Sequence, residues 1–160
     1  MIYRYKSAII REAKLEDAFK LAAHLRNEDL IEIRSFDSKR PPYKALVDGL
    51  ARSTDQRWAI EDPNKRVIAL FGVVPIMPNV GAVWLLGSGG IKKIQRDFIR
   101  HSKFWVDELH KNHLMLCNQV YAENHVHINW LKWLGFTFIR KIDQYGDLSL
   151  PFYEFLRIKK

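Results

Sequence analysis

Residues 67–74, Val-Ile-Ala-Leu-Phe-Gly-Val-Val, form an apolar run without a single polar interruption. A strand with one face in water alternates apolar and polar residues, whereas a continuous Val/Ile/Leu/Phe run is typical of a strand buried on both faces. The turn sequence Asp-Pro-Asn-Lys at 62–65 comes directly before it. The run therefore predicts a central strand with helices packed on both sides of its sheet.

The pattern on either side of this run predicts an α/β (α+β) fold with a mixed, largely antiparallel central sheet flanked by helices. Strands at 57–61, 66–74 and 82–86 lie close enough in sequence to form an antiparallel meander. No repeat, linker or low-complexity stretch interrupts the chain, so we expect one domain over residues 1–160. The remaining predicted elements are a strand at 8–11, helices at 15–26, 30–33, 43–51, 91–110 and 125–134, and strands at 114–122, 136–142 and 153–158.

Composition excludes several classes of protein. Hydrophobic residues make up 48% and charged residues 28% of the chain, which is globular composition. No apolar run reaches the roughly 18–20 residues that span a bilayer, and no long apolar stretch follows Met1, so we expect neither membrane insertion nor a signal peptide. Cys117 is the only cysteine. It lies in an apolar run and is interpreted as a core residue of a protein in the reducing cytoplasm.

The formal net charge of +8 is compatible with binding to nucleic acid or to an anionic cofactor. However, the basic residues are spread along the chain and interleaved with acidic ones, and there is no basic arm. A solvated basic surface explains this distribution, so nucleic acid is not an expected partner.

The segment 124–136, Asn-His-Val-His-Ile-Asn-Trp-Leu-Lys-Trp-Leu-Gly-Phe, begins with a helix-capping residue and ends with a helix-terminating Gly followed by Phe. In this segment the chain resembles the GNAT superfamily of acyltransferases. Its members commonly have an Asn, a short amphipathic helix and a Leu-Gly-Phe ending, with the Asn eleven residues before the Gly. Asn124 and Gly135 have that spacing. The predicted order of elements agrees with the family over nearly the whole chain.

A narrower resemblance is to small GNAT-like proteins of tailed bacteriophages, which are encoded among the virion genes of T7-like and related phages. It rests on four stretches of the sequence. They are Leu-Arg-Asn-Glu-Asp at 25–29 with Glu32, Phe-Gly-Val-Val-Pro at 71–75, Trp-Leu-Leu-Gly at 84–87, and Trp-Leu-Lys-Trp-Leu-Gly-Phe at 130–136. This resemblance implies either an acetyltransferase or an internal virion or assembly protein.

The resemblance to the superfamily implies acetyl-coenzyme A as the cofactor. A glycine-rich loop at the start of the central helix would hold the pyrophosphate with backbone N–H groups, and here that loop is Leu86, Gly87, Ser88, Gly89 and Gly90. The Arg or Gln that usually leads into the paired glycines is missing, although Lys92 and Lys93 follow one turn later.

Two residues of the motif helix are expected on the cofactor side as well. Asn124 would cap the helix and offer its amide to the pantetheine arm, and Trp130 would border that arm. Many family members have a Tyr four residues before the motif Gly as general acid, but this chain has Leu131 there. Tyr121 and Tyr153 are substitutes by position.

Asp29 and Glu32 are the candidate catalytic residues. They are three residues apart on a predicted helix and so share a face. Two carboxylates there would bind a cationic amine and, with a raised pKa, remove its proton. The alternative is a solvated acidic face paired with Arg26 or Arg34, and Glu61 is a lesser option for the base.

The histidines at 125 and 127 do not predict a metal site, because residues two apart on a helix point to different sides and no Cys or His companions follow. Two functions therefore stay open. One is N-acetyl transfer from acetyl-CoA to an amine on a small molecule or protein, in the cytoplasm of a host cell if the gene is phage-encoded. The other is a catalytically inactive role with virion proteins, within the virion itself or during its assembly.

Overall fold

The structure, a computed structural model, describes all 160 residues as one eight-stranded sheet with helices on both faces. The strands are β1 Ile2–Arg4, β2 Ile9–Glu12, β3 Gln56–Glu61, β4 Val67–Met77, β5 Val80–Gly87, β6 Met115–Tyr121, β7 Thr137–Tyr145 and β8 Leu150–Ile158. The helices are α1 Leu15–Ala22, α2 Asn27–Phe36, α3 Pro42–Arg52, α4 Ile91–Leu109 and α5 His125–Trp133. The sheet order is β1-β2-β3-β4-β5-β6-β8-β7.

Strand β4 confirms the prediction from the apolar run. Its residues from Val67 to Val73 are all buried. Leu70 packs into a cluster with α1 and α3, including Leu21, Leu46 and Leu50, while Phe71 packs into a larger cluster with α4 that includes Trp105. Two cores, one on each face, therefore hold the sheet between the helices.

All strand pairs are antiparallel except one. The predicted meander of β3, β4 and β5 is confirmed. Strands β5 and β6 are parallel and pair only over Val80–Ala82 and Met115–Cys117. Beyond those residues the two strands are no longer paired, which leaves a gap near the middle of the sheet.

The first helix ends earlier than the sequence predicts. The expected helix over 15–26 stops at Ala22, and Arg26 has an extended backbone with ψ 152°. Leu25 forms a β-bridge with Ser88, and the Arg26 N–H donates to the Gly87 carbonyl at 2.9 Å. Because the paired residues are more than 60 positions apart in sequence, helical periodicity cannot reveal the pairing.

The sequence also predicts too few strand residues in the N-terminal and C-terminal parts of the chain. Strand β1, which pairs with β2, has no alternating pattern and was not expected. Strand β7 continues to Tyr145, although the sequence predicts its end at 142. Strand β8 begins at Leu150, although the sequence predicts its start at 153. Their pairing with each other and of β8 with β6 supplies the hydrogen bonds that carry both strands past the apolar pattern.

No helix is both long and apolar enough to cross a membrane.

Candidate active site

Two carboxylates of α2 occupy the open end of the gap between β5 and β6. Asp29 Oδ2 accepts the backbone N–H of Gly87 on β5 at 2.9 Å. Glu32 Oε1 accepts the backbone N–H of Tyr121 on β6 at 3.2 Å. Three-residue spacing on the helix therefore places one carboxylate against each of the separated strands.

The two carboxylates differ in their surroundings. Asp29 is fully buried, and both of its oxygens accept hydrogen bonds from the Arg26 guanidinium, at 3.0 and 3.1 Å. Glu32 is only partly buried and lines a large cleft. The predicted acidic pair is thus one ion-paired residue that fixes α2 to β5 and one residue that faces the cleft.

Burial, reinforced by the neighbouring charge of Asp29, raises the pKa of Glu32 to about 7. Hydrogen bonds from Asn124 and from the Tyr121 N–H act in the opposite direction. Burial also raises the pKa of Asp29, against the lowering effect of Arg26. Glu32 consequently exchanges a proton near neutral pH, which suits a general base.

His127 and Asn124 complete the cluster beside Glu32. The Asn124 side-chain amide donates to Glu32 Oε1 at 3.0 Å and lies 3.3 Å from Nδ1 of His127. The His127 Nε2 atom lies 3.2 Å from the Arg26 guanidinium. Burial, reinforced by the charge of Arg26, lowers the pKa of His127 to about 3, so its ring is neutral.

The contact with Arg26 determines which ring nitrogen of His127 carries the proton. A guanidinium only donates hydrogen bonds, so Nε2 accepts and Nδ1 is protonated. Nδ1–H then needs an acceptor, and Asn124 supplies one if its amide oxygen turns toward the ring. That orientation presents the same oxygen to Glu32, which suits the protonated carboxyl. The ionised carboxyl instead prefers the Asn124 N–H group.

The predicted cap on the motif helix is wrong. Asn124 occupies the N-cap position of α5, but its side chain makes no capping hydrogen bond, because it is bound to Glu32. The predicted left-handed turn is confirmed, since Gly135 has a φ of +88°.

Asp29, Glu32 and His127 place ligand atoms within 4.8 Å of one another, an arrangement compatible with a metal ion. Arg26, however, already donates to both oxygens of Asp29 and contacts Nε2 of His127. A cation would meet this guanidinium at close range, so the cluster is organised around an internal positive charge.

The cleft runs through the sheet at the gap. On the α2 and α3 side its walls include Ile33, Gly49 and Trp84. On the α4 and α5 side they include Phe98 and Trp130. The cavity has a volume of about 550 Å³ and is mainly apolar, with Glu32 among its few charged residues. Two molecules entering from opposite faces would meet beside Glu32.

The backbone of Leu85 faces this gap. The Val83 carbonyl accepts from the Asn118 side chain on β6, and Gly87 uses its N–H and carbonyl for Asp29 and Arg26. Backbone groups of alternate residues point to the same side of a strand, so the N–H and carbonyl of Leu85 also point away from β4. No strand pairs with Leu85 on that side, and it lines the cleft.

The glycine-rich loop is less open than the sequence predicts. The N–H groups of Gly87, Ser88 and Gly90 donate to Asp29, to the Ile68 carbonyl and to Ser88 Oγ. Gly89 is different: a Cβ built on it would meet nothing within 4 Å. The loop therefore offers open space and an unbonded backbone N–H at Gly89, whose carbonyl accepts from the Lys92 N–H at 3.3 Å. The exposed Lys92 and Lys93 lie in the first turn of α4.

Of the other predicted cofactor residues, Leu86 and Trp130 line the cleft, and the Trp130 indole donates to Ser102 Oγ at 3.3 Å. Asn124 lies behind Glu32 and does not line the cleft. Glu61, the lesser candidate base, is ion-paired with Arg11 at 2.6 Å away from the cleft. Neither Tyr121 nor Tyr153 lines it.

Sequence reasoning missed three residues of the cleft and its surroundings. Tyr145 lines the cleft, and burial raises its pKa. For Arg26 the sequence suggests only an ion pair on a solvated face, yet its side chain is nearly buried and organises the cluster. For His127 the sequence suggests only a packing or polar contact. The i,i+3 spacing of Arg26 and Asp29 was the one signal available for this cluster.

Comparison with known proteins adds the fold's name. No protein-family model matches the sequence, and no curated protein matches it. Solved structures do match. A GNAT-family acetyltransferase from Bacillus anthracis superposes with a TM-score of 0.69 at 7% identity, covering 99% of this chain and 98% of the other. The chain has the GNAT fold.

Two further structures agree. Ard1 from Thermoplasma volcanium gives a TM-score of 0.70 at 14% identity over 96% of this chain and 98% of its own. An N-acetyltransferase from Staphylococcus aureus gives 0.67 at 18% identity over 96% and 99%. The similarity extends over nearly the whole chain, and at these sequence identities it establishes the fold.

Proposed function

We propose that this GNAT-fold protein is an N-acetyltransferase that uses acetyl-CoA as acyl donor and Glu32 as general base. The observation that carries the proposal is the position of Glu32, at the open end of the gap between β5 and β6 and on the wall of a cleft that reaches both faces of the sheet. The structural neighbours described as acetyltransferases favour the same chemistry.

The residues on the α4 and α5 side fit the donor. Leu85 offers a backbone N–H and carbonyl at the gap, which suit the amide groups of a pantetheine arm or the thioester oxygen. Trp130 and Phe98 form an apolar wall beside them. Gly89 leaves room for a phosphate group near the start of α4, where N–H groups and the helix dipole attract anions.

The acceptor amine would enter from the α2 and α3 side. Most amines are protonated at neutral pH and must lose a proton before attack, and Glu32 is placed to take it. Asp29 keeps α2 in position, and its charge helps to hold the pKa of Glu32 near 7. Acetyl-CoA supplies the acetyl group as a thioester, whose thiolate is a tolerable leaving group because thiol pKa values lie near 8.5.

Calorimetry with acetyl-CoA, followed by release of free thiol in the presence of amines, tests the proposal. We expect binding in the micromolar range and thiol release that Glu32→Gln reduces by about 10²-fold or more without weakening acetyl-CoA binding. No binding at millimolar acetyl-CoA would rule out the proposed acetyltransferase activity. Glu61→Gln is the matched control, since Glu61 is the lesser candidate base and lies away from the cleft.

The second candidate is a catalytically inactive GNAT-fold protein acting with phage virion proteins. Two observations favour it: three N–H groups of the glycine-rich loop are already bonded within the chain, and Leu131 stands where a tyrosine acid is common. A phage origin rests on the sequence resemblance alone. Under this candidate acetyl-CoA neither binds nor shifts the melting temperature.

A further inference from the structure

The half of the cleft between α2 and α3 has a wall built by the β7–β8 turn. The Ser38 N–H donates to Asp147 Oδ2 at 3.0 Å, so the turn is fixed to the segment that follows α2. Phe36 and Tyr145 lie against each other nearby, with ring centroids 6.4 Å apart, and both line the cleft. This end is therefore closed to an extended chain, and the half cleft suits a small molecule.

One stripe of α3 forms the opposite wall. Ala45, Asp48, Gly49 and Arg52 all line the cleft and recur at the spacing of one helix face. The small residues Ala45 and Gly49 alternate along the stripe with the charged Asp48 and Arg52, and Gly49 faces the Trp84 ring. The small residues and Trp84 form an apolar floor, and Arg52 lies at the C-terminal end of the stripe.

The charges of this half do not favour a polycation. Asp48 is paired with Arg40 at 2.9 Å. Arg52 is exposed on the cleft wall and makes no hydrogen bond or ion pair. Glu32 is partly neutral near pH 7 because of its raised pKa. The unpaired charge that a ligand would meet is therefore the guanidinium of Arg52, whose planar fork matches a carboxylate or a similar oxyanion.

We propose that the acceptor is a small primary amine whose apolar body carries an anionic group at the end opposite the amine. Arg52 binds the anion, Trp84 and Gly49 contact the apolar part, and the amine points to Glu32. This assignment rests on the proposed function and gives the substrate class of the same site.

Direct binding tests this assignment without acetyl-CoA. Three matched pairs serve as probes: 6-aminohexanoate with pentylamine, 8-aminooctanoate with heptylamine, and 4-(aminomethyl)benzoate with benzylamine. Each pair differs only in the carboxylate. By calorimetry or ligand-observed NMR we expect at least one amino acid to bind about tenfold or more tightly than its amine. Amines that bind as well as or better than every amino acid would overturn the assignment.

Arg52→Gln should abolish the preference within the pair while leaving the affinity of the decarboxylated amine within about twofold. Arg52→Lys should restore part of it, because charge is kept and the fork is lost. Arg34→Gln is the control, since Arg34 is an exposed arginine of α2 that does not line the cleft. An unchanged preference in Arg52→Gln would show that Arg52 does not bind the anion.

Acetyl-CoA binding measured on the same samples separates the two proposals. If acetyl-CoA binds and the amines bind at least as tightly as the amino acids, the proposed substrate class is wrong and the proposed acetyltransferase activity is retained. If amino acids bind through Arg52 but acetyl-CoA does not bind, the proposed activity is wrong and the anion-binding site in the cleft is retained. Steady-state kinetics then adds a second readout, a rise in KM for the amino acid in Arg52→Gln with little change in kcat.

Discussion

At the scale of single residues, the protonation state of Glu32 that favours stability is the opposite of the one that the proposed activity needs. Its folded pKa of about 7 exceeds the 4.5 of a free carboxyl, so the native state holds the proton more tightly. The stability associated with this proton is present below about pH 4.5 and is lost as the pH rises to about 7. Above pH 7 the folded protein carries the cost of a negative charge on the partly buried Glu32 beside Asp29.

Glu32→Gln removes that cost while keeping an oxygen for the N–H groups of Tyr121 and Asn124. At pH 8 we expect the variant to be more stable than the parent by about 1–3 kcal/mol, with a difference that shrinks toward pH 5. Urea denaturation at both pH values measures this. The activity of the variant should be lower than that of the parent. The rate of the parent should rise with pH to a plateau above pH 7. Equal stability at pH 8 would mean that Glu32 is not held in its neutral form.

His127 should remain neutral over the whole physiological range, since burial and Arg26 hold its pKa at about 3. Two-dimensional ¹H–¹⁵N NMR of the ring nitrogens should show the neutral ring from pH 5 to 8, with the proton on Nδ1 and only a small change in shift as Glu32 titrates. The His127→Asn spectrum identifies the signals. Protonation of the ring within that window, seen as both nitrogens moving to imidazolium shifts, would contradict a ring held neutral by the contact between Nε2 and the guanidinium.

At the scale of elements, sequence alone predicted the helices and strands that have a clear apolar period, and it placed Asp29 and Glu32 on one face of α2. It did not predict where α1 ends, because the Leu25–Ser88 bridge is a contact between distant segments. For the same reason the capping role of Asn124 was wrong: a capping residue also fits a buried network with Glu32, and only the fold decides between them.

The attachment of α2 to β5 depends on Arg26 and Asp29. Both side chains are nearly buried, and Asp29 also binds the Gly87 N–H. Asp29→Ala leaves a buried guanidinium without its partner, so we expect a loss of about 3–5 kcal/mol in the free energy of unfolding. The double variant Arg26→Met, Asp29→Leu should recover part of that loss. A double variant less stable than Asp29→Ala would argue against a paired charge in this place.

Helix α3 contains a glycine that stability does not require. Gly49 has no positive φ, and an added Cβ would lie 3.4 Å from the Trp84 ring, an ordinary contact. Gly49→Ala should therefore stabilise the protein by about 0.5–1 kcal/mol, while the methyl group narrows the cleft and weakens acceptor binding. The exposed Ala51 of the same helix provides the reverse control, since Ala51→Gly should lose a similar amount. Unchanged acceptor affinity in Gly49→Ala would place the acceptor elsewhere.

At the scale of the whole molecule, the unpaired stretch of β5 is the feature that the sequence could not show. Strand identity can be predicted from residues 82–86, but the parallel pairing that stops at Ala82 depends on how β6 and β8 close the sheet. The cleft exists because β5 and β6 separate and α2 inserts two carboxylates between them. Its chemistry thus combines groups from β5, β6, α2 and α5, which no local motif contains.

Hydrogen exchange followed along β5 gives a test at this scale. The Leu85 N–H faces the gap and has no partner strand there, so it should exchange faster than its neighbours whose N–H groups bond to β4. A donor lying in the gap would cover it. Saturating acetyl-CoA should slow exchange in β5 around Leu85, and should leave β1 and β2 at the far edge of the sheet unchanged. Uniform protection of the whole sheet would indicate general stabilisation instead, and no protection around Leu85 would show that acetyl-CoA does not enter the gap.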